Sequence, residues 1–278
     1  MVVAGSDQAD AVRAEAPGAL LIVEPAARGT AAAVALAALA AEPEELLLVM
    51  PSDHFIRDEA ALRAAVETAR PLAEQDWLVT FGIEPDRPET GYGYIRTGEP
   101  LGPGAWKAER FAEKPDVETA RAWIEEGGWS WNSGLFLFAR DAILAALESY
   151  ASEMMAAARA GALAGVASAS LDKAVMEKAP RVAVVPVDMG WSDIGSWEAL
   201  HALGPRDPDD NLLSGDVVAP GSRGCLVRSD GPVVVALGVS DLVVVATERA
   251  VLVVRRCEAQ RVGEAVAALQ ARRKRDEG

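Results

Sequence analysis

Two aspartates stand at the ends of apolar, strand-like runs, and carboxylates placed there could hold a divalent cation. Asp53 follows the run Leu46–Met50, and Asp193 follows the run Val182–Val187. Ligands bind outside the carboxyl edge of an α/β sheet, and Mg²⁺ is commonly held by one or two carboxylates together with substrate phosphates. The alternative is that each aspartate caps a following helix or turn. The pattern therefore predicts either a Mg²⁺ site at Asp53 and Asp193 or two structural caps.

Four further residues have types that suit a phosphorylated sugar. Lys114 could meet a phosphate as a point charge, and Glu113 could accept hydrogen bonds from hydroxyls, although a surface ion pair is the simpler interpretation. Pro115 is expected to hold Lys114 in extended backbone. Gly93 would allow a ligand to approach the backbone closely, or would serve a hairpin. Asn132 offers an amide donor and acceptor, although asparagine is also common in turns.

Two other segments carry candidate groups. Residues Glu24, Arg28 and Thr30 lie where a strand leads into a helix N-terminus, a natural place for an anion or a base edge. Asp172 and Lys178 fall in one helix-like segment. Charges on such a segment are usually only solvated, and this is the expectation for both side chains. The histidines, His54 and His201, have no partner that indicates catalysis, and His54 is expected to pack or orient its loop.

The elements that must position these residues change character along the chain. Apolar runs and helical segments alternate through residues 1–205, which predicts an α/β fold with a Rossmann-like, mainly parallel sheet. From Asn211 onward, short β-branched runs separated by turns predict a small all-β segment that ends in a helix over Ala259–Ala271. The predicted domains are therefore residues 1–205 and residues 206–278. Charge supports this boundary, because residues 206–278 carry 11 basic and 11 acidic groups and the rest carry the net charge of −15.

Composition excludes several classes of function. An acidic body argues against nucleic acid as a partner, although a cation and a few local basic groups can still favour a phosphorylated small molecule. The chain contains two cysteines, expected to be reduced thiols, and no apolar stretch long enough to span a bilayer. Its start lacks the charged region of a signal peptide. The expectation is a cytoplasmic protein that does not interact with a membrane.

Seven motifs in this order resemble one family, the mannose-1-phosphate guanylyltransferases, or GDP-mannose pyrophosphorylases, which are sugar-nucleotide pyrophosphorylases of the nucleotidyltransferase fold. The motifs run from the first strand–helix junction to the second aspartate: Glu24-Pro25…Arg28…Thr30-Ala31, Pro51-Ser52-Asp53-His54, Gly91-Tyr92-Gly93-Tyr94-Ile95, Phe111…Glu113-Lys114-Pro115, Trp131-Asn132-Ser133-Gly134, Met176-Glu177-Lys178 and Trp191-Ser192-Asp193…Gly195-Ser196-Trp197. The resemblance extends from about Val2 to the C-terminal helix.

The resemblance implies transfer of GMP from GTP to mannose 1-phosphate, with release of pyrophosphate. It also implies the roles of the matching residues, which fall into four groups: the catalytic residues Asp53, Lys114 and Asp193; the metal ligands Asp53 and Asp193, with Mg²⁺ as cofactor; the substrate contacts Gly93, Glu113, Asn132 and Lys178; and the nucleotide-side residues Glu24, Arg28 and Thr30. GTP and mannose 1-phosphate are the implied partners, and a homo-oligomer is left open.

The sequence departs from the family pattern in two places. The family usually has asparagine where Gly29 stands and proline where Ala32 stands. Loss of the asparagine side-chain amide would affect which nucleotide base the protein selects. The family also opens with a Gly-rich loop, Gly-Gly-x-Gly-x-Arg-Leu-x-Pro-Leu-Ser, that cradles the nucleotide phosphates. That loop does not occur in these 278 residues, so the nucleotidyltransferase domain is expected to be incomplete at its N-terminus.

Three interpretations of function remain open at this stage. The first is guanylyltransferase activity that is impaired in the chain as given, because the phosphate cradle is absent. The second is a non-catalytic remnant that binds a sugar phosphate, or a regulatory partner of a complete paralogue. The third is a glucose-1-phosphate nucleotidyltransferase of the same fold.

Overall fold

The computed structural model describes residues 1–276, apart from the side chains of residue 260 and residues 273–276. The chain forms two compact units, Met1–Trp191 and Ser192–Gly278. The sequence-based boundary between residues 205 and 206 stays a prediction. No helix in the described part of the chain is both long and apolar enough to span a membrane.

The first unit contains eight strands and six α-helices among its described residues. In chain order they are β1 (Val2–Gly5), α1 (Ala9–Glu15), β2 (Leu21–Glu24), α2 (Thr30–Ala40), β3 (Leu46–Val49), α3 (Glu59–Ala73), β4 (Leu78–Ile83), β5 (Gly93–Gly102), β6 (Ala105–Glu113), α4 (Val117–Glu126), β7 (Trp129–Ala139), α5 (Arg140–Tyr150), α6 (Ser152–Ala160) and β8 (Val182–Pro186). A 3₁₀ turn (Leu163–Gly165) and a π turn (Asp172–Met176) lie between α6 and β8.

The central sheet has six strands in the order β3-β7-β4-β8-β6-β5, and β7 also pairs with β5. Within it β4 and β8 are parallel, whereas β7 runs antiparallel to β3, β4 and β5, and β6 runs antiparallel to β5 and β8. The α/β class is confirmed, but the sheet is mixed rather than mainly parallel. One reason is the tight turn between β5 and β6, where Gly104 has φ +76°, because a connection this short can join only antiparallel strands.

Apolar side chains cover both faces of this sheet. On one face the Ala-rich helix α2 packs with α5 and α6, and its residues Ala31, Ala35 and Ala38 are fully buried. On the other face α3 packs over Val79, Phe81 and other strand residues. Small side chains on α2 let the helix approach its neighbours closely.

The second unit begins with α7 (Trp197–Leu203), and six short strands follow it. They are β9 (Leu212–Ser214), β10 (Val217–Val218), β11 (Leu226–Asp230), β12 (Val234–Val235), β13 (Leu242–Thr247) and β14 (Val251–Arg255). Parallel pairs β9–β11, β11–β13 and β10–β12 bury Leu226 and Val227 between successive turns of chain. A 3₁₀ segment, Arg256–Arg261, leads into α8, Val262–Asp276. The predicted all-β segment that ends in a helix is confirmed.

Candidate functional site

The hairpin β5–β6 places Glu113 directly opposite Gly93. The two residues are register partners at the open end of the hairpin. A Cβ atom added to Gly93 would lie 2.8 Å from Glu113 Oε2 and 3.5 Å from Asn132 Cβ. A glycine is therefore required for the carboxylate of Glu113 to lie against this backbone. Three of the predicted sugar-side residues, Gly93, Glu113 and Asn132, meet at one point.

Asn132 reaches this point because β7 bulges there. The β4–β7 register changes between Thr80 and Gly82, and Gly134 within the bulge has φ +70°. Before the bulge, β7 pairs with β5 through Trp131 and Tyr94. A bulge bends its strand and re-aims side chains. Here it turns the Asn132 amide toward the end of the β5–β6 hairpin.

The amide of Asn132 is engaged on both sides. Its Nδ2 donates to Asp172 Oδ1 at 2.7 Å. Its Oδ1 lies 3.3 Å from the donating Gly134 N–H and 3.1 Å from Thr80 Oγ1. Thr80 Oγ1 is equally close to Leu135 O, so its single proton is shared between the two acceptors. These partners fix which end of the amide faces Asp172.

Asp172 departs from the sequence-based expectation that charges on its segment are only solvated. It begins the π turn, is partly buried, and faces Asn132 rather than open solvent. Burial raises the pKa of the Asp172 carboxyl, although the hydrogen bond from Asn132 opposes that rise. Local sequence pattern could not indicate this contact, because the two residues lie 40 positions apart.

Burial and neighbouring charges together raise the pKa of the Glu113 carboxyl. Burial raises the pKa of the Glu113 carboxyl most, and the negative charge of Asp172 raises it further. Lys114 and Lys173 act in the opposite direction, and Glu177 raises the pKa slightly. Glu113 is thus a carboxylate in a partly desolvated place, suited to accept hydrogen bonds from neutral hydroxyls.

Lys114 lies beside this cluster with its ammonium group toward solvent. Its Nζ is 3.9 Å from Glu113 Oε1, and its side chain is 63% exposed. The expectation of extended backbone is wrong, because Lys114 has φ +48°. Its N–H donates to Tyr92 O at 3.1 Å, and this bond holds the unusual conformation before Pro115. Lys178, in contrast, donates to Tyr150 O at 3.5 Å, at the end of α5.

The predicted nucleotide-side residues lie around the start of α2. Glu24 ends β2, and its Oε1 is buried with no hydrogen-bond partner. Burial raises the pKa of the Glu24 carboxyl. Arg28 donates through Nε to Leu163 O at 3.1 Å and through Nη2 to Ala164 O at 2.5 Å. The guanidinium therefore ties the loop before α2 to the 3₁₀ turn.

The segment that precedes Asp172 closes over the same helix start. Thr30 Oγ1 accepts from Leu171 N–H at 2.9 Å, and Ala31 N–H donates to Ala169 O at 3.2 Å. Gly29 has φ +83°, and a Cβ atom there would lie 2.4 Å from Ala169 O. The backbone of this chain thus excludes the asparagine that the family pattern has at position 29.

The loop with Asp53 packs next to the bulge of β7. A Cβ atom on Gly134 would meet His54 Cε1 at 3.5 Å and Pro51 Cγ at 3.7 Å. The indole N–H of Trp191 donates to His54 Nδ1 at 3.2 Å, as expected of a histidine that orients its loop. Asp53 itself is exposed. Its loop is therefore held close to Asn132 by packing against Gly134.

The metal prediction concerns residues in different units. Asp53 belongs to Met1–Trp191 and Asp193 to Ser192–Gly278. Asp193 Oδ1 accepts from Gly195 N–H at 3.0 Å, in a turn where Ile194 has φ +47°. The described residues contain no group of three or more acidic, histidine or cysteine side chains that could hold a metal alone. Single carboxylates fit Mg²⁺ that takes further ligands from phosphates and water, so the shared site stays a prediction.

Comparison with known proteins gives two family profiles that match consecutive parts of the chain. A profile described as nucleotidyl transferase covers residues 10–209. A second, described as a MannoseP isomerase/GMP-like beta-helix domain, covers residues 215–269.

Among curated relatives, the mannose-1-phosphate guanylyltransferase of Escherichia coli K12 is 42% identical over 277 residues. The mannose-1-phosphate guanylyltransferase ManC of Salmonella typhimurium LT2 is 41% identical over 278 residues. Each match covers 90% of this chain and 58% of the relative, so the chain spans little more than half of their length. A crystal structure described as mannose-1-phosphate geranyltransferase from Thermus thermophilus is 37% identical, with a TM-score of 0.84, and the match covers 96% of this chain and 83% of that one.

Proposed function

This chain belongs to the nucleotidyl transferase family, and from that premise we propose that it transfers GMP from GTP to mannose 1-phosphate, forming GDP-mannose and pyrophosphate. An oxygen of the sugar phosphate attacks the α-phosphorus of GTP, and the bond from that phosphorus to the oxygen bridging the β-phosphate breaks. Pyrophosphate leaves with that oxygen and its electron pair. The observation that carries the proposal is the convergence of Gly93, Glu113 and Asn132 beside Lys114, in a chain whose relatives bear the guanylyltransferase name.

The sugar side can bind a hexose through complementary groups. Glu113 accepts hydrogen bonds from hydroxyls, and the second N–H of Asn132 Nδ2 donates to a hydroxyl oxygen. Gly93 lets the Glu113 carboxylate lie against the backbone of β5, where it is available to the hydroxyls. Lys114, exposed beside Glu113, supplies positive charge for the phosphate of the same ligand.

On the nucleotide side, Glu24 offers a buried carboxylate oxygen that has no partner within the protein. Guanine presents adjacent N–H donors on its base-pairing edge, so this oxygen suits a guanine better than a base edge that offers acceptors. Arg28 and Thr30 support the nucleotide side indirectly, because both form hydrogen bonds with the segment that covers the start of α2.

We propose that Asp53 would help to hold Mg²⁺ together with the substrate phosphates. The family resemblance implies the same role for Asp193, which belongs to the other unit. The cation would neutralise charge on the phosphates during transfer. The chain's own residues then bind and orient the two substrates for an in-line reaction, which is the larger part of catalysis in phosphoryl-type transfer.

The proposal is tested by titrating mannose 1-phosphate and glucose 1-phosphate into the full chain by calorimetry, and by measuring GDP-mannose formed from GTP and Mg²⁺. We expect saturable binding of mannose 1-phosphate, weaker binding of glucose 1-phosphate, and nucleotide sugar formed from the mannose ligand. Glu113→Gln should weaken binding by about tenfold or more, since a hydrogen bond to a charged group is lost. Glu99→Gln, at an exposed carboxylate paired with Lys107 on the same hairpin, is the matched control.

Absence of saturable mannose 1-phosphate binding would overturn the proposal. A preference for glucose 1-phosphate in both assays would favour the glucose-1-phosphate alternative instead. Nothing in the described residues favours the non-catalytic alternatives.

A further inference from the structure

Asn132 has one hydrogen-bonding position left for a ligand. An asparagine amide has two donor and two acceptor positions. One N–H is given to Asp172, and the oxygen faces the Gly134 N–H and Thr80 Oγ1. The remaining group that the amide can present is its second N–H. The identity of the atom facing Asp172 therefore decides whether the site offers a donor or an acceptor to the sugar.

An ionised carboxylate can only accept hydrogen bonds. As long as Asp172 is ionised, the amide must turn its nitrogen, not its oxygen, toward it. A protonated Asp172 could donate to the amide oxygen as well, so it would no longer oppose the reversed amide, and the Gly134 N–H would be the fixed donor left to do so. The negative charge on Asp172 thus favours one orientation of the Asn132 amide, and a neutral side chain of the same shape would not favour it in this way.

The position of Asp172 is itself fixed by backbone contacts. Leu171, the preceding residue, donates its N–H to Thr30 Oγ1 at 2.9 Å. Glu177 N–H donates to Asp172 O at 2.9 Å within the π turn. A carboxylate that is partly buried next to another carboxylate, Glu113, is unfavourable for stability, and such a group is retained more readily where it serves a site.

We propose that Asp172 is a positioning residue, which turns Asn132 so that its free N–H lies beside the Glu113 carboxylate and donates to a hydroxyl of the hexose. This inference rests on the proposed function. In this arrangement the Glu113 carboxylate accepts a hydrogen bond from one hydroxyl of the hexose. The Asn132 amide donates a hydrogen bond to the oxygen of another substituent on the ring. Asp172 touches neither the sugar nor the phosphate.

The decisive variant is Asp172→Asn, which keeps the shape but lets either end of the new amide face Asn132. We expect mannose 1-phosphate to bind about five- to tenfold more weakly at neutral pH, because a charge-assisted hydrogen bond is replaced by a neutral one. GTP binding should stay unchanged. Asp141→Asn, at an exposed carboxylate paired with Arg140, is the matched control.

The pH profile separates positioning from a merely structural role. Glu113 is faced by Asp172, Glu177, Lys114 and Lys173. Removal of the Asp172 charge should lower the pKa of Glu113, so the loss of affinity on acidification should move to lower pH in Asp172→Asn. Ionisation of the ligand's own phosphate is common to both proteins and cancels in the comparison.

A third readout does not need a ligand. The side-chain amide protons of Asn132 should give one set of NMR signals in the wild-type protein, and these should shift or broaden in Asp172→Asn. Unchanged affinity and an unchanged pH midpoint in the variant, or unchanged amide signals, would overturn the positioning role. Failure of the wild-type protein to bind mannose 1-phosphate would overturn the proposed function instead, and the amide signals alone would then decide the role of Asp172.

Discussion

Gly93→Ala would place a methyl group where the Glu113 carboxylate now lies. The added Cβ would stand 2.8 Å from Glu113 Oε2, whereas ordinary contact begins at 3.4 Å. The carboxylate must therefore withdraw by about 0.6 Å, which the end of a flexible side chain can do at a cost of about 0.5–1.5 kcal/mol. Replacement of glycine returns about 0.4–1 kcal/mol through the unfolded chain. The two terms nearly cancel, so the melting temperature should change by less than about 3 °C.

Binding should respond far more than stability. A shift of the Glu113 carboxylate by about 0.6 Å would lengthen its hydrogen bonds to the hydroxyls, and loss of one hydrogen bond to a charged group predicts about a tenfold loss of affinity for mannose 1-phosphate. Calorimetric titration measures the affinity, and a thermal scan of the same samples measures stability. Gly102→Ala is the matched control, because a Cβ atom at that glycine of β5 meets nothing within 4 Å. Wild-type affinity in Gly93→Ala, or an equal loss in the control, would refute this account of the pocket.

Three further variants test neighbouring groups. Lys114→Ala should weaken mannose 1-phosphate about tenfold and leave free mannose unaffected, and equal losses for both ligands would show that Lys114 does not contact the phosphate. Arg28→Ala should lower the melting temperature by several degrees through the lost bonds to Leu163 O and Ala164 O; a direct contact with guanine would instead show as a raised KM for GTP at unchanged stability. Because the folded-state pKa of Asp172 is raised, its ionised form destabilises the fold as pH rises through that pKa. Asp172→Asn should therefore melt higher than the wild-type protein near pH 7, and the difference should shrink toward about pH 4; an equal difference at both pH values would contradict this sign.

Local pattern in the sequence was sufficient for several features. Alternating elements predicted the α/β class, and β-branched runs predicted the C-terminal all-β segment with its helix. Gly93, Glu113 and Asn132 are grouped by the family resemblance alone, because local pattern gives no reason to place them together. Their contact now rests on the register of β5 with β6 and on the bulge at Gly134.

Other features depend on contacts between distant segments, which periodicity does not contain. The sequence predicts a solvated Asp172, because charges on helix-like segments usually face solvent. Its partner Asn132 lies 40 positions away in the chain, beyond the reach of local pattern. The strand directions were missed because alternation of strands and helices does not distinguish a helical crossover from the β5–β6 hairpin. The sequence also gives no sign that the Arg28 guanidinium donates to carbonyls 135 and 136 positions further along the chain. The placement of Arg28 on the nucleotide side stays a prediction.

The bulged strand β7 has a consequence for how the protein unfolds. Trp131, before the bulge, pairs with both β5 and β4, and residues after the bulge pair with β3 and β4, so Asn132 lies beside three strand pairings. Asn132 is held by strands on both sides of β7, so this part of the pocket resists fraying, whereas Gly93 and Glu113 lie at the open end of a hairpin. Displacement of Asn132 therefore requires that strand pairings on both sides of β7 in this sheet layer open together. A ligand at about one hundred times its Kd would stabilise that layer by about 2.7 kcal/mol. Amide hydrogen exchange across the sheet would slow in proportion to this added stability.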